Sequence, residues 1–299
     1  MDKYGVVDIG SNTVRLEIYN VDENFIELFF KKKEFLGLAG YVEDGVMERD
    51  GMLKTIEVLK DYISICQNIG TKDLYIFATA AIRNAKNALE IIDEVEKSIG
   101  HKIDLISGEK EAELGFRAVT DQFGIKSGLN IDIGGGSTEV SVYENGTFQI
   151  SKSLTDGALS FYSQYVELIF PTKKELARME QRVDQYIVDE RLANITQEKI
   201  TGVGGTIRML NRLIASYYGT DTENIIKVKK LRKIYDLILS KDKDVIKLIL
   251  RLAPERIHLI IPGTLILLKL CDHYNVKEIL VSESGVRAGY LSMKLEDKK

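Results

Sequence analysis

Tryptophan is absent from this 299-residue chain, and cysteine, histidine and proline are scarce, at two, three and three residues. Cys66 and Cys271 lie far apart and share no CxxC spacing. A disulfide framework and a thiolate zinc site are therefore not indicated, and a reducing cytoplasm is the expected setting. His101, His258 and His273 are too scattered for a histidine metal centre, and no HExxH pair occurs. So few prolines, beside 44% hydrophobic and 29% charged residues, argue against collagen-like, low-complexity and long disordered character. The longest apolar stretch, residues 259–270, is interrupted by Pro262, Gly263 and Lys269. It falls short of the ~20 residues that a membrane span needs. Met1-Asp2-Lys3-Tyr4-Gly5 leads straight into an apolar strand pattern, so no leader peptide is expected. A net charge of -4 offers no global attraction for nucleic acid or an anionic membrane, and neither is expected as a partner. The length suits two domains of ordinary size.

What the chain does have is an internal repeat: residues 8–19 (DIGSNTVRLEIY) and 132–143 (DIGGGSTEVSVY) align without a gap. Each copy follows a short apolar run and reads as a β-hairpin with a tight Gly-rich bend. Strand patterns at 25–30 and 147–151 would make each copy the start of a three-stranded meander. After each meander the apolar period changes from 2 to about 3.6. In the first half the pattern predicts a helix over 50–68 with Leu53, Ile56, Leu59 and Ile63 inward, then a strand at 74–78. One helix over 80–99, a strand at 103–106 and a helix over 109–119 follow. In the second half helices are predicted over 173–191, 206–218, 231–239, 245–252, 261–274 and 285–295, with strands at 199–203 and 278–281. The alternation predicts α/β sheets with parallel crossovers and helices on both faces, in two halves that face each other. The turn-like segment 121–128 sets the expected boundary: a first domain over 1–124 and a second over 125–299, the last helix being free to pack back toward the first.

Ligands of open α/β sheets tend to lie beyond the carboxyl ends of strands, which makes the two Asp-Ile-Gly turns the leading candidates. Gly10, Ser11, Asn12 and Thr13 can aim N–H groups and hydroxyls at a phosphate, and Gly134, Gly135, Gly136, Ser137 and Thr138 repeat the pattern more emphatically. A purely structural hairpin is the bland alternative. Asp8 and Asp132, just before the turns, could hold Mg²⁺ directly or through water, or merely form the turn. The copies differ where the first has Arg15 and the second Glu139: Arg15 suits phosphate, Glu139 a metal-bound or attacking water, and a surface ion pair would explain either. Arg83 closes a small-residue strand-to-helix junction at 78–83. At 107–114 a helix opens with a carboxylate-rich turn, part of which capping alone would explain. Gly204, Gly205 and Thr206 form another Gly-rich turn into a helix, an anion-friendly place. The densest basic run, from Lys227 to Lys233, is either a solvated helix face or the wall of an anion groove.

At these residues the chain resembles the exopolyphosphatase and guanosine pentaphosphate phosphohydrolase family, within the actin-like ATPase superfamily. The segments that carry the likeness are DIGSNTVRL (8–16), ATAAIR (78–83), SGEKEAEL (107–114), DIGGGSTE (132–139), GVGGT (202–206), ERIHLIIPG (255–263) and VSESGVRAG (281–289), in family order. The resemblance implies two actin-like (ribonuclease H-like) α/β domains with an interdomain active cleft. It implies Glu111 as the base that activates water, with Glu139 as a second catalytic acid. Asp8, Asp132 and Glu139 are the implied metal acids, and Arg15 and Arg83 the phosphate arginines. The implied reaction is Mg²⁺-dependent removal of terminal orthophosphate from inorganic polyphosphate, with pppGpp hydrolysis to ppGpp as a companion activity. Mn²⁺ is an allowed substitute, and a K⁺ requirement is left open, as is a homodimer. An LGxGL-like segment common in the family is replaced here by residues 33–41 (KEFLGLAGY), which leaves substrate choice open. Longer relatives add a helical domain of HD-phosphohydrolase type, so a chain ending at Lys299 is expected to lack it, and with it strong processivity. Two alternatives remain: an ATP-dependent kinase of the same superfamily, whose carbohydrate pocket and Asp base are not found, and a (p)ppGpp sensor without turnover, against which the retained carboxylates count.

Overall fold

The apolar alternation at the start of the chain becomes three antiparallel strands, β1 (Asp2–Ile9), β2 (Thr13–Val21) and β3 (Ile26–Phe35). The computed structural model describes residues 1–22, 25–189, 192, 195–221, 224–282 and 285–298. A small hairpin, β4 (Val42–Glu43) with β5 (Val46–Met47), precedes α1 (Arg49–Ile69). β6 (Asp73–Ala78), α2 (Ala80–Arg83), α3 (Ala88–Ile99), β7 (Ile103–Leu105) and α4 (Gly108–Phe123) follow. The sheet order is β3-β2-β1-β6-β7, with β1, β6 and β7 parallel. Val7, Ile9, Val14, Leu16 and Ile18 on one sheet face join Leu59, Ile91 and Val95 in a dry core, which places α1 and α3 on that face.

Two local expectations are corrected here. Leu53 is 48% exposed; the inward stripe of α1 is Met52, Ile56, Leu59, Tyr62 and Cys66. Six residues at about 100° each turn Leu53 roughly 120° from Leu59, off the buried face. The single helix predicted over 80–99 is broken between α2 and α3. Asn87 there pairs with β5, accepting from Met47 N at 3.0 Å and donating to Met47 O at 3.1 Å, while Lys86 N donates to Gly45 O at 2.7 Å. Bonds to the small hairpin take the place of the intrahelical ladder.

The second half repeats the plan with β8 (Gly128–Ile133), β9 (Thr138–Glu144), β10 (Thr147–Leu154), α5 (Ala158–Tyr165), α6 (Lys173–Asp189), β11 (Lys199–Val203) and α7 (Gly205–Tyr218). Then come β12 (Ile225–Lys227), α8 (Val228–Leu239), α9 (Lys243–Leu252), α10 (Ile260–His273), β13 (Glu278–Val281) and α11 (Val286–Glu296). Its sheet order is β10-β9-β8-β11-β13-β12, in which β8, β11 and β13 are parallel and β12 is an antiparallel edge. Both sheets thus read meander first, parallel strands after. The apolar run at 259–270 lies mostly in α10, a helix buried along most of its length as a largely apolar helix must be. No helix among the described residues is long and apolar enough to cross a membrane. The end of the helix predicted to 191 lies outside the described residues, as do Glu283 and Ser284 of the last motif.

Two compact units emerge: Met1–Glu111 with Arg287–Lys299, and Ala112–Val286. The division falls inside α4, upstream of the turn at 124–128, and assigns nearly all of α11 to the first unit. Turn chemistry marks where a helix stops, whereas compactness follows contacts made across the chain.

Candidate phosphate turns and catalytic carboxylates

The two Asp-Ile-Gly turns share one construction. Gly10 N donates to Thr13 O at 3.1 Å and Gly134 N to Ser137 O at 3.0 Å. Strand register sets Asp8 opposite Arg15 and Asp132 opposite Glu139, each pair on one face of its hairpin. In the first turn Ser11 and Thr13 are buried, and Arg15 Nε donates to Thr13 Oγ1 at 2.9 Å. Asn12 Nδ2 is buried without an acceptor among the described residues. A buried donor left unsatisfied costs free energy that an anion in the turn would recover.

The second turn is held open by α5. Gly134 O accepts from Ala158 N at 3.0 Å, and Gly135 O from Leu159 N at 2.8 Å and Ser160 N at 3.1 Å. In a trans peptide the N–H lies opposite the carbonyl, so the N–H groups of Gly135 and Gly136 point away from α5, as phosphate donors must. A Cβ on Gly157 would sit 2.5 Å from Gly134 O and 2.7 Å from Ser137 O, which fixes glycine at this approach. Thr138 Oγ1 donates to Asp156 O at 3.0 Å and Ser137 is buried, so both hydroxyls lie inside the turn.

Arg83 and Glu111, predicted on separate junctions, meet. Arg83 Nη1 donates to Ile106 O at 3.1 Å and to Glu111 Oε2 at 2.9 Å, with both side chains largely buried. Glu109 and Glu113 on the same helix are exposed. Ser107 Oγ accepts from Lys110 N at 3.1 Å, so capping is done by the serine and Glu111 is left to face inward.

Asp8 has a partner that sequence reasoning missed. Arg287, in the first turn of α11 and 7% exposed, places Nη1 2.7 Å from Asp8 Oδ2 and Nε 2.9 Å from Glu17 Oε2. Burial alone would lower its pKa, but Glu17 and Asp8 outweigh that and hold the guanidinium above its ordinary value. One signal was available: an arginine in a helix's first turn opposes the helix dipole and calls for a buried acid.

The Gly204–Gly205 turn also carries more than its glycines. Gly204 has φ +103°, and a Cβ there would lie 2.5 Å from Ile133 O and 2.7 Å from Asp132 Oδ1. Over Gly205, at the start of α7, lies the Arg256 guanidinium, whose Nη2 is 2.5 Å from where a Cβ would stand. Burial, reinforced by the charges of Arg208 and Arg212, presses the Arg256 pKa down to about 10. Guanidinium groups gathered at a helix N-terminus form an anion cradle. Neighbouring His258 is lowered by burial and by Arg256. Thr206 is buried against Gly263 of α10. Arg256 and His258 belong to segment 255–263, but nothing local in that segment points to α7.

Mg²⁺ binds through one or two carboxylates together with phosphate oxygens. Asp132 and Glu139, opposed on one hairpin face and both buried, fit that donor set; Glu139 also accepts from Ser153 Oγ at 3.0 Å. Asp8 is already offset by Arg287. No group of three or more His, Cys, Asp or Glu residues suited to a metal ion occurs among the described residues.

The family model of the Ppx/GppA phosphatase family matches residues 17–298. A guanosine-5'-triphosphate,3'-diphosphate pyrophosphatase of Pseudoalteromonas translucida is 27% identical over 96% of this chain, which spans 58% of that relative's length. Exopolyphosphatase 1 of Mycobacterium tuberculosis is 26% identical, over 99% of this chain and 89% of its own. Among solved structures, a Ppx/GppA family member of Aquifex aeolicus superposes with a TM-score of 0.81 at 23% identity, covering 100% of this chain and 99% of its own. An exopolyphosphatase of Cytophaga hutchinsonii superposes with a TM-score of 0.87 at 19% identity, covering 99% and 98%. These likenesses bear on the fold, which is the two-domain actin-like α/β fold.

Proposed function

The chain belongs to the Ppx/GppA phosphatase family, and from that membership we propose that it is an exopolyphosphatase. It removes terminal orthophosphate from inorganic polyphosphate and, by the same chemistry, the 5′ γ-phosphate of pppGpp. The observation that carries this reading is Glu111, a largely buried carboxylate at the start of α4 held by Arg83 at 2.9 Å. A phosphate-binding sensor needs arginines and glycines but no oriented carboxylate; a hydrolase needs all three.

In the proposed reaction Glu111 takes a proton from a water as its oxygen bonds to the terminal phosphorus. The bridging P–O bond breaks in line, and the shortened chain leaves with the bridging oxygen. Within the first unit Asn12 Nδ2 and Arg15 hold phosphate oxygens; within the second, the outward N–H groups of Gly135 and Gly136 do so. Asp132 and Glu139 would hold Mg²⁺, or Mn²⁺ in its place, which would supply charge neutralisation for the vicinal phosphates. The two buried free cysteines suit a reducing compartment, and the cytoplasm is the proposed location.

The test is orthophosphate release measured side by side on tripolyphosphate, long polyphosphate, pppGpp and ATP, with and without excess chelator. Release from polyphosphate that chelator abolishes supports the proposal. Sugar-dependent ADP formation would favour a kinase. Silence on all four substrates with tight (p)ppGpp binding would favour a sensor.

A further inference from the structure

The last helix of the chain attaches to the first sheet along a single stripe. Arg287, Tyr290, Lys294 and Lys298 recur at helical spacing. The Tyr290 ring packs tilted against Phe77 with centroids 4.6 Å apart and its hydroxyl donates to Asp104, Lys294 Nζ lies 2.7 Å from Asp104 Oδ2, and Lys298 Nζ lies 2.8 Å from Asp73 Oδ2. These contacts anchor α11 over β6 and β7, and at its first turn they deliver Arg287 to β1 and β2. There the guanidinium spans two carboxylates, Asp8 and Glu17, and Tyr19 donates its hydroxyl to Glu17 as well. Asp8 Oδ2 is bound to Arg287, while Asp8 Oδ1 lies 3.7 Å from the point a Cβ on Gly10 would occupy. One oxygen is tethered and the other is turned to the phosphate turn.

We propose that Arg287 is a positioning residue for the first phosphate turn: by tethering one oxygen of Asp8 and countering Glu17, it presents the other Asp8 oxygen to the Gly10–Thr13 turn. It touches no substrate and acts through Asp8. The inference rests on reading that turn as phosphate-binding. It makes the C-terminal helix a part of the catalytic apparatus as well as a cover for the sheet. A lysine in its place keeps the charge but, as a point charge, does not span both carboxylates.

The experiment uses full-length Arg287→Lys, Asp8→Asn and their combination, each with its kcat and KM for tripolyphosphate and its thermal midpoint. Arg287→Met would leave two largely buried carboxylates without the guanidinium and can fail to fold, so the lysine variant carries the test. We expect Arg287→Lys to lower kcat about tenfold or more and to raise KM, with a thermal midpoint close to wild type. Added to Asp8→Asn, it should lower kcat little further, because both changes act through one oxygen. Wild-type kcat in Arg287→Lys, or losses that multiply in the combination, would overturn the inference and leave Arg287 as a helix anchor. Should the wild-type chain release no orthophosphate, the hydrolase reading fails by itself. Calorimetric binding of pyrophosphate then decides the positioning role: weaker binding in Arg287→Lys sustains it, and equal binding overturns it.

Discussion

Glu111 stands between two other acids on one helix, yet only Glu111 is turned inward, and the reason is angular. Residues at i and i+2 on a helix differ by about 200°, so Glu109 and Glu113 share the solvent side that Glu111 leaves. Glu111→Gln keeps the shape and removes the proton acceptor. We expect kcat to fall roughly 10²-fold or more with KM little changed, measured as orthophosphate release. Glu109→Gln and Glu113→Gln should change unfolding free energy by no more than about 0.5 kcal/mol and leave turnover intact. Retained turnover in Glu111→Gln with loss in Glu139→Gln would move the base to the second turn. His258 makes a separate, pH-dependent prediction. Its folded pKa is lowered, so as pH falls below about 6.5 the unfolded chain takes up the proton first, and stability is lost on the way down to the folded value. His258→Gln should flatten that acid-side slope in denaturant titrations at several pH values. At this scale Glu111 and Arg83 were legible as residue types at strand-to-helix junctions. Their ion pair was not, nor was the guanidinium on Asp8, because each partner comes from another part of the chain.

Long apolar periods placed helices well: α1, α7 and α10 match their predicted spans within a residue, because ten or more residues of one period leave little choice. The short strands β11 and β13 also match their predicted spans. α5 escaped prediction: its eight residues give barely two turns of pattern, with Ala158, Leu159 and Phe161 all buried. Yet α5 is the element that takes up the carbonyls of the second Asp-Ile-Gly turn. Gly157→Ala tests this, since the new methyl would meet backbone oxygens at 2.5 and 2.7 Å that have no room to move. The expected outcome is a destabilisation of about 1–3 kcal/mol together with a raised KM, because the turn must shift to admit the methyl. A variant with wild-type KM would show that α5 does not shape the turn. α9 offers a control outside the turn residues: Asp242 caps it by accepting from Asp244 N and Val245 N at 3.1 Å. Asp242→Ala should cost about 1 kcal/mol in denaturant unfolding and leave catalysis unchanged.

On the scale of the whole molecule, net charge is negative and the basic run from Lys227 to Lys233 is divided between two faces at the start of α8. Lys227, Lys229 and Arg232 line a surface cavity of about 540 Å³ with Lys277 and Glu278, whereas Lys230 and Lys233 lie over the Tyr218 ring. Arg232 and Lys277 are ion-paired with Asp272 and Glu198. If the cavity guides polyanions, Lys227→Gln with Lys229→Gln should raise KM for long polyphosphate several-fold while sparing tripolyphosphate, and the difference should shrink at high salt. Equal KM values for both lengths would return the run to a solvated helix face. The repeat, the alternation of strand and helix, and the glycine and acid positions of both turns were determined by sequence alone. Each is written within a few consecutive residues, where steric limits on φ and ψ and the burial of every second or every third to fourth side chain decide the outcome. Tertiary structure alone decided which charges meet: Arg287 with Asp8 and Glu17, Arg83 with Glu111, and Arg256 over Gly205. A charged side chain takes its partner from whatever packing brings within reach, and packing is settled by apolar surfaces far away in the chain, which no local pattern around the charge records.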